Sequence, residues 1–475
     1  MTNPRPQTLD PRPSETIVAR ATAPGQGAIA IVRLSGALTP RIVEACFQRN
    51  GKSAAWSELP PRTMILGLWS EPGAAAPIDE VQLAAYRAPN SYTGEELGEI
   101  FCHGGRVVVE AILHSCIAAG ARLAEPGEFS RRAYLNGRMD LAQAEAVCDL
   151  IAASTEAARR LALRQLRGGV SRAVEALRER LILSAAEIEA RLDFDDEDIG
   201  AADRSRIQAE LKALIAELDA AMQRSSRGRI AREGARIVIC GKPNTGKSSL
   251  LNALAGRERA LVTPHAGTTR DTIECSLDVR GFEMTFIDTA GIRDTPDEVE
   301  RLGVNAARRE IADADIVLWL LDASQPLDDD DRLLNNELGA VKTLRLRNKI
   351  DLEPQWTAET LDALAPEVAG PLLELSARTG QGLDRLEAAL IEHTAGGELP
   401  PAEEGLLAGN IRHIERLRQA RDAVARAYDA YIQNVSGEFL MIDLNEALAA
   451  LSAILGLETG EAILDRIFSR FCIGK

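Results

Sequence analysis

The sequence predicts a multidomain protein. An α+β domain comes first, an all-α helical domain is made from two chain segments, and an α/β phosphate-loop domain is inserted between those segments. Three observations carry this. Gly241-Lys242-Pro243-Asn244-Thr245-Gly246-Lys247-Ser248 fits the phosphate-binding pattern G-x-x-x-x-G-K-[ST], after the apolar run Arg236–Cys240 and before the helical stretch Ser249–Leu254. Alanine- and leucine-rich helical stretches lie on both sides of it. Short apolar runs separated by turns fill the first part of the chain. The boundaries this implies are 1–136, 137–229, 230–397 and 398–475.

In the first domain, Thr16–Ala19 and Ala28–Val32 read as strands around a Pro24–Gly27 turn. Further strands are expected at Met64–Leu66, Val81–Ala84 and Glu99–Phe101. A helix is expected from Val107 to Ala118, burying Val108, Ile112 and Cys116. From about Asp140 the pattern is helical: Ile207, Leu211, Leu214, Ile215, Leu218 and Met222 form one apolar stripe. Asp195–Asp198 reads as a solvated loop. Arg159, Arg160, Arg164, Arg167, Arg172, Arg178 and Arg180 read as a solvated face, with RNA contact as the alternative. Ser225–Arg229 reads as an entry linker; Ala395–Gly397 with Pro400 and Pro401 reads as the exit. Two later stripes follow helical spacing: Ile414, Leu417, Val424, Tyr428 and Tyr431, then Leu444, Leu448, Leu451 and Leu455.

Composition narrows the class. A chain of 475 residues predicts about three domains. Its net charge of −16 argues against a general nucleic-acid coat protein. Seven scattered cysteines without a C-x-x-C pair point to reduced thiols, hence a cytoplasmic protein without a zinc site. No apolar run is long enough to span a membrane.

The chemistry follows from motif order. The glycines let backbone N–H groups of Asn244, Thr245 and Gly246 point at phosphate. Lys247 supplies charge to the β and γ phosphates; Ser248, followed by Ser249, supplies a hydroxyl for Mg2+. Asn348-Lys349-Ile350-Asp351 reads guanine, because the Asp351 carboxylate accepts from both the ring N–H and the exocyclic amine. Ser376, Ala377 and Arg378 back the base. The nucleotide is therefore GTP. Asp288-Thr289-Ala290-Gly291 places a water-mediated Mg2+ contact at Asp288 and a γ-phosphate sensor at the Gly291 N–H. Ile292 follows, where a glutamine would orient water, so catalysis needs another group and a cation. The segment Thr263, Pro264, His265, Ala266, Gly267, Thr268, Thr269 is the first switch. Thr269 is the second hydroxyl ligand of Mg2+, and His265 is a weak candidate for a base.

Taken together, G-K-P-N-T-G-K-S-S, A-G-T-T-R-D, D-T-A-G-I-R, D-E-V-E-R-L-G and the terminal Phe471-Cys472-Ile473-Gly474-Lys475 resemble the MnmE (TrmE) family of tRNA-modification GTPases. T-I-V-A-R-A-T-A-P-G from Thr16, S-Y-T-G-E-E from Ser91, P-G-E-F-S-R-R-A-Y-L-N from Pro126 and D-L-A-Q-A-E-A from Asp140 extend the resemblance over nearly the whole chain. It implies a tetrahydrofolate-binding N-terminal domain that dimerises the protein. It implies a heterotetramer with the FAD-containing MnmG (GidA). Together the two would place an aminomethyl or carboxymethylaminomethyl group on C5 of the wobble uridine of tRNA. The carbon would come from 5,10-methylenetetrahydrofolate, for which 5-formyltetrahydrofolate is an analogue, and the amine from glycine or ammonia. By position the resemblance assigns K+ to Asn244, Thr263, His265 and Thr268, and the water-orienting role to Glu300. Folate contacts fall to Arg33, Glu99, Arg138 and Lys475, and uridine chemistry to Cys472. Arg138 stands where another member has lysine, which changes reach and geometry. Cys148 reads as a small core residue. The competing reading is a GTPase switch in ribosome assembly or signalling. The second is a folate-binding scaffold, which an intact Lys247, Ser248, Thr269 and Asp288 argue against.

Overall fold

The computed structural model describes residues 15–192, 201–257, 259–260, 273–288, 309–339, 341–366, 368, 370–397, 409–457, 460–469 and 471–474. The chain divides into two compact units. One comprises residues 1–148, 174–182 and 445–475; the other comprises 149–173 and 183–444.

The first unit is built on an eight-stranded sheet of order β4-β3-β5-β6-β7-β2-β1-β8. Its strands are β1 (Ile17–Arg20), β2 (Ile29–Ser35), β3 (Phe47–Arg49), β4 (Lys52–Ser53), β5 (Met64–Ser70), β6 (Pro77–Tyr86), β7 (Leu97–His103) and β8 (Arg122–Leu123). All neighbours are antiparallel except β1 and β8. Helices α1 (Thr39–Cys46) and α2 (Arg106–Ala118) cover one face. Val32, Leu34, Leu83 and Ile100 on the strands meet Ile42, Val43, Val109 and Ile112 on the helices in one core. Alternation along the strands produces this: every second side chain points to the helices. The helix expected at Val107 starts one residue earlier, and Val109 is the buried valine while Val108 is half-buried. Helices α3 (Glu128–Leu135) and α4 (Leu141–Ala152) follow.

The second unit holds α5 (Glu156–Leu166), most of α6 (Gly169–Leu192) and α7 (Ala201–Glu233), followed by the phosphate-loop domain. Its strands are β9 (Ala235–Cys240), β10 (Arg259–Ala260), β11 (Ile273–Val279), β12 (Phe282–Asp288), β13 (Ile316–Asp322), β14 (Thr343–Asn348) and β15 (Leu372–Glu374). The sheet order is β10-β11-β12-β9-β13-β14-β15; the five strands from β12 to β15 are parallel. Central β13, Ile-Val-Leu-Trp-Leu-Leu-Asp, is apolar on both faces because helices cover both. Ile237, Ile239, Leu318 and Leu320 pack against α8 (Lys247–Arg257) and α11 (Leu383–Ala395). Val238, Val317 and Trp319 pack against α9 (Asp329–Leu338) and α10 (Ala358–Leu364).

The expected entry linker is a correction. Ser225–Arg229 lies inside α7, which runs on to Glu233. Serine and glycine are poor helix formers, but tertiary contacts override propensity here. Ser225 is fully buried, Arg229 pairs with Asp315 at 2.5 Å, and Ile230 and Ala231 join the core of the parallel sheet. The exit does break: α11 ends at Ala395 with Gly396 in a left-handed cap. Asp195–Asp198, Pro400 and Pro401 lie outside the described residues. After the exit come α12 (Ile411–Ile432), α13 (Gly437–Leu455) and α14 (Glu461–Phe468). The helical stripes hold with adjustments: Ala221 is buried and Met222 only half-buried, while Leu417, Val424, Leu444, Leu451 and Leu455 are buried.

Candidate functional site

The loop after β9 is shaped by its own backbone. Gly246 has φ 99° and the β-carbon of any other residue there would run into the Asn348 amide. Asn244 takes φ 64°, which asparagine tolerates. Lys247 begins α8 and is largely buried; its Nζ donates to the carbonyls of Gly241 and Lys242, both at 2.9 Å. Thr245 Oγ1 donates to the same Lys242 carbonyl at 2.9 Å. Ser248 Oγ donates to Asp288 Oδ2 at 3.2 Å. Asp288 ends β12 beside β9 and is 2% exposed. A hydroxyl and a buried carboxylate this close at a phosphate loop form an oxygen donor set suited to Mg2+. Asn244 and Ser249 are exposed.

The guanine motif does two jobs. Asn348 ends β14 and is buried: its Nδ2 donates to the Thr245 carbonyl at 2.8 Å and its Oδ1 accepts from the Ala377 N–H at 2.9 Å. Lys349, at φ 63°, donates to the Asn244 carbonyl at 2.8 Å and to Asp322 at 2.6 Å. These two residues tie the phosphate loop to the base loops. Asp351, the residue expected to read the base, is exposed. Ser376 Oγ donates to its Oδ1 at 2.6 Å, and this bond first, with the Arg378 and Lys349 charges, holds its carboxyl below the usual range. The Ile350 N–H donates to the Leu375 carbonyl. Thus Asn244, Thr245, Gly246, Lys247, Ser248, Asp288, Asn348, Lys349, Asp351, Ser376 and Ala377 converge along the carboxyl edge of the parallel sheet. There β9 is flanked on either side by β12 and β13. Thr263, Pro264, His265, Ala266, Gly267, Thr268, Thr269, Thr289, Ala290, Gly291, Ile292, Glu300 and Lys475 lie outside the described residues.

In the other unit, Arg33 on β2 and Glu99 on β7 are register partners. Arg33 Nη2 and Nε donate to Glu99 Oε1 at 2.8 and 3.0 Å, and Tyr86 OH donates to Glu99 Oε2 at 3.2 Å. The guanidinium also lies 5.1 Å from the Tyr92 ring and 5.7 Å from the Phe129 ring. Arg33 and Glu99 are thus one ion pair rather than two separate anchors. The chain end meets them: Arg33 Nη1 reaches the Gly474 carbonyl at 3.5 Å. Gly474 is buried at φ 97°, and a β-carbon there would collide with the Arg20 carbonyl. Its role is close approach, not looseness. The Cys472 carbonyl accepts from the Gly127 N–H at 3.5 Å, while the residue itself is exposed. Phe471 stacks on Phe468 at 5.4 Å in a cluster with Tyr134, and half-buried Cys148 packs there. Exposed Arg138 lies beside Gly94.

Residues 16–138 match the family described as GTP-binding protein TrmE N-terminus, and residues 141–472 match MnmE helical domain. Relatives named tRNA modification GTPase MnmE align along essentially their whole length. The protein from Ralstonia nicotianae is 43% identical over 492 residues, covering 100% of each chain. The one from Synechococcus sp. (strain JA-3-3Ab) is 42% identical over 464 residues, covering 97% of this chain and 98% of its own. The Symbiobacterium thermophilum protein is 42% identical over 465 residues, covering 97% and 99%. The chain belongs to the MnmE (TrmE) family.

The family motifs acquire physical roles in this chain. Within S-Y-T-G-E-E, Glu95 accepts from Ser35 at 2.7 Å and from Arg132, and Glu96 accepts from Trp56 Nε1 at 2.8 Å. Within P-G-E-F-S-R-R, Glu128 bridges Arg122 and Arg132. Burial pushes the Glu128 carboxyl up, but the arginines and the Glu125 N–H outweigh it and hold it at about 2. Both blocks therefore support the sheet under the Arg33–Glu99 pair. Sequence reasoning missed three acidic partners of the nucleotide loops, Asp322, Asp328 and Asp331. Asp322, at the end of β13, anchors Lys349; its place at the carboxyl edge of a central strand was the available signal. Lys242 is held by Asp328 and Asp331 at the capped start of α9, at 2.8 and 2.7 Å. The acidic run Asp328–Asp331 was its signal.

Proposed function

We propose that the protein is a GTP hydrolase whose activity serves the modification of tRNA. The observation that carries it is the convergence of Lys247, Ser248, Asp288 and Asp351 in a chain that belongs to this family over its full length. The Lys247 ammonium rests on two loop carbonyls; a phosphate group would take their place. Ser248 and, as second hydroxyl, Thr269 would hold Mg2+, with Asp288 holding it through water. The ion would neutralise charge on the β and γ phosphate oxygens. Asp351, whose Oδ1 accepts from Ser376 Oγ, selects guanine.

The finer reading rests on the resemblance. K+ sits at Asn244, Thr263, His265 and Thr268, and supplies the charge that an arginine supplies in other GTPases. Glu300 orients the attacking water, since Ile292 cannot. The N-terminal domain binds a reduced folate near Arg33, Glu99, Arg138 and Lys475. The protein is a homodimer that joins the FAD-containing MnmG, and Cys472 serves the change at C5 of the wobble uridine. Support for the N-terminal part is the docking of the chain end beside Arg33. The domain boundaries 1–136, 137–229, 230–397 and 398–475 stay part of this proposal, with the entry boundary lying within a continuous helix. Among the described residues no helix is long and apolar enough to cross a membrane.

Nucleoside mass spectrometry of tRNA from a strain lacking the gene is the test. The expected result is loss of the modified wobble uridine, restored by the wild-type gene and not by Lys247→Ala. Unchanged nucleosides would favour the switch reading. With the purified protein, K+ should raise GTP turnover well above Na+ at equal ionic strength, and Asn244→Ala should lose the response.

A further inference from the structure

In a chain of net charge −16, residues 156–172 carry five arginines against one acid, Glu156. Solvated helix faces ordinarily mix signs. Arg160, Arg164 and Arg167 recur at i, i+4 and i+7, so they line one side of α5. The opposite side, Ala157, Ala158, Leu161, Ala162 and Gln165, is buried. The Arg160 side chain is 71% exposed, and Arg167 and Arg172 are exposed too. Arg172 swings back over the end of α5: its Nη1 donates to the Arg167 carbonyl at 2.8 Å, placing its charge beside the same row. Burial first, then the Arg172 charge, disfavours the cationic form of Arg164, so like charges are gathered here against their own repulsion. Such gathering calls for an external anion.

We propose that this α5 face is a contact surface for the phosphate backbone of RNA, the tRNA substrate of the function proposed above. This rests on that reading. From Arg160 to Arg167 the helix advances about 10 Å at about 1.5 Å per residue, enough to follow about three phosphates of one strand. At its start the row is bounded by Glu156, whose carboxylate accepts from both Arg159 and Arg160, at 2.7 and 2.8 Å. Beyond lies a cavity of about 460 Å³ lined by Glu156, Glu392, Arg160 and Arg280, whose mixed signs do not suit a polyanion. The footprint is therefore Arg160 to Arg172. No base edge is read, so the contact is independent of sequence.

The test measures binding of full-length protein to unmodified tRNA across a series of salt concentrations. For Arg160→Gln/Arg167→Gln, the slope of log Kd against log salt should shrink by about 2, about one per lost phosphate contact. Arg160→Lys/Arg167→Lys should keep the wild-type slope. GTP turnover of both variants should equal wild type, which checks folding. A glutamine variant with the wild-type slope overturns the inference and leaves the proposed function standing. Wild-type protein that binds no tRNA overturns both. A slope lost equally with a double-stranded DNA probe would mark a general polyanion surface, and would also overturn the assignment to tRNA.

Discussion

At the nucleotide site, Lys247, Asn348 and Lys349 each sit in a contiguous motif and bond main-chain carbonyls close by. Lys247 bonds carbonyls five and six residues back, and Asn348 and Lys349 bond the neighbouring loop's backbone. At the N-terminal site, Arg33 and Glu99 are 66 residues apart and Arg33 and Gly474 are 441 apart, and only strand register and the docked chain end unite them. The first site is held by main-chain geometry and tolerates side-chain change at its rim. The second depends on the Arg33 and Glu99 side chains, with the Gly474 carbonyl as a main-chain contact. Variants in the two sites should therefore fail differently.

The largest expected effect separates the sites outright. Cys472→Ser should abolish tRNA modification in cells while GTP turnover stays at the wild-type level. The thiol is exposed on a tail anchored by buried Gly474 and Phe471, so exchanging sulfur for oxygen leaves the anchors intact. In the proposed role a thiolate would act as nucleophile or proton carrier, which a serine hydroxyl does not replace at neutral pH. Fully modified wobble uridine in the variant strain would remove the cysteine from the chemistry. Loss of GTP turnover as well would show that the two sites are not separable.

Next comes base selection. Asp351→Asn should weaken GTP binding by about 100-fold or more, because the amide keeps one acceptor but sets its own N–H donor against a guanine donor and loses the charge. The amide should in turn favour XTP, whose 2-oxo group accepts where guanine donates. Competition against a fluorescent GDP checks this, and an unchanged GTP preference would show that Asp351 is not the reader. The loop should remain shaped, since Asn348 and Lys349, not Asp351, tie it.

Arg33→Ala should reduce affinity for 5-formyltetrahydrofolate by about 10- to 100-fold in calorimetry, the range for losing charge-assisted bonds to a carboxylate. It should also free the Gly474 carbonyl and leave Glu99 with Tyr86 alone, so modification should fall together with folate binding. Equal folate affinity in both proteins would place the pocket elsewhere. GTP turnover should not change.

This contrast decides how much could be read from the sequence. The parallel sheet, the phosphate loop and the placement of the N-K-x-D run after a strand were legible because each is contiguous and flanked by its own strand. Five N-terminal strands were legible from apolar alternation. β3, β4 and β8 were not, being two or three residues long and recognisable only by their partners. The Arg33–Glu99 pairing was out of reach for the same reason, since register is a property of the folded sheet. Ser225–Arg229 misled because its composition suits a linker, while burial of Ser225 and the Arg229–Asp315 pair keep it helical. Asp322 and the Asp328 and Asp331 partners of Lys242 escaped because none of the three belongs to a motif.

The smallest effect probes a contact between neighbouring loops. Ser376 holds the Asp351 carboxyl below its ordinary value of 3.8, so the anion that guanine needs persists to lower pH. A depressed carboxyl contributes fully above its unperturbed value, and the contribution is lost as pH falls through the depressed one. Ser376→Ala removes the largest cause of that depression. Guanine binding should then begin to fail at a higher pH than in wild type. At pH 7 the same variant should bind GDP roughly three- to tenfold more weakly, because Asp351 loses one orienting hydroxyl. GDP titrations at several pH values between 4 and 7 measure both. Curves that superimpose after scaling would mean that Ser376 orients the carboxylate without tuning it.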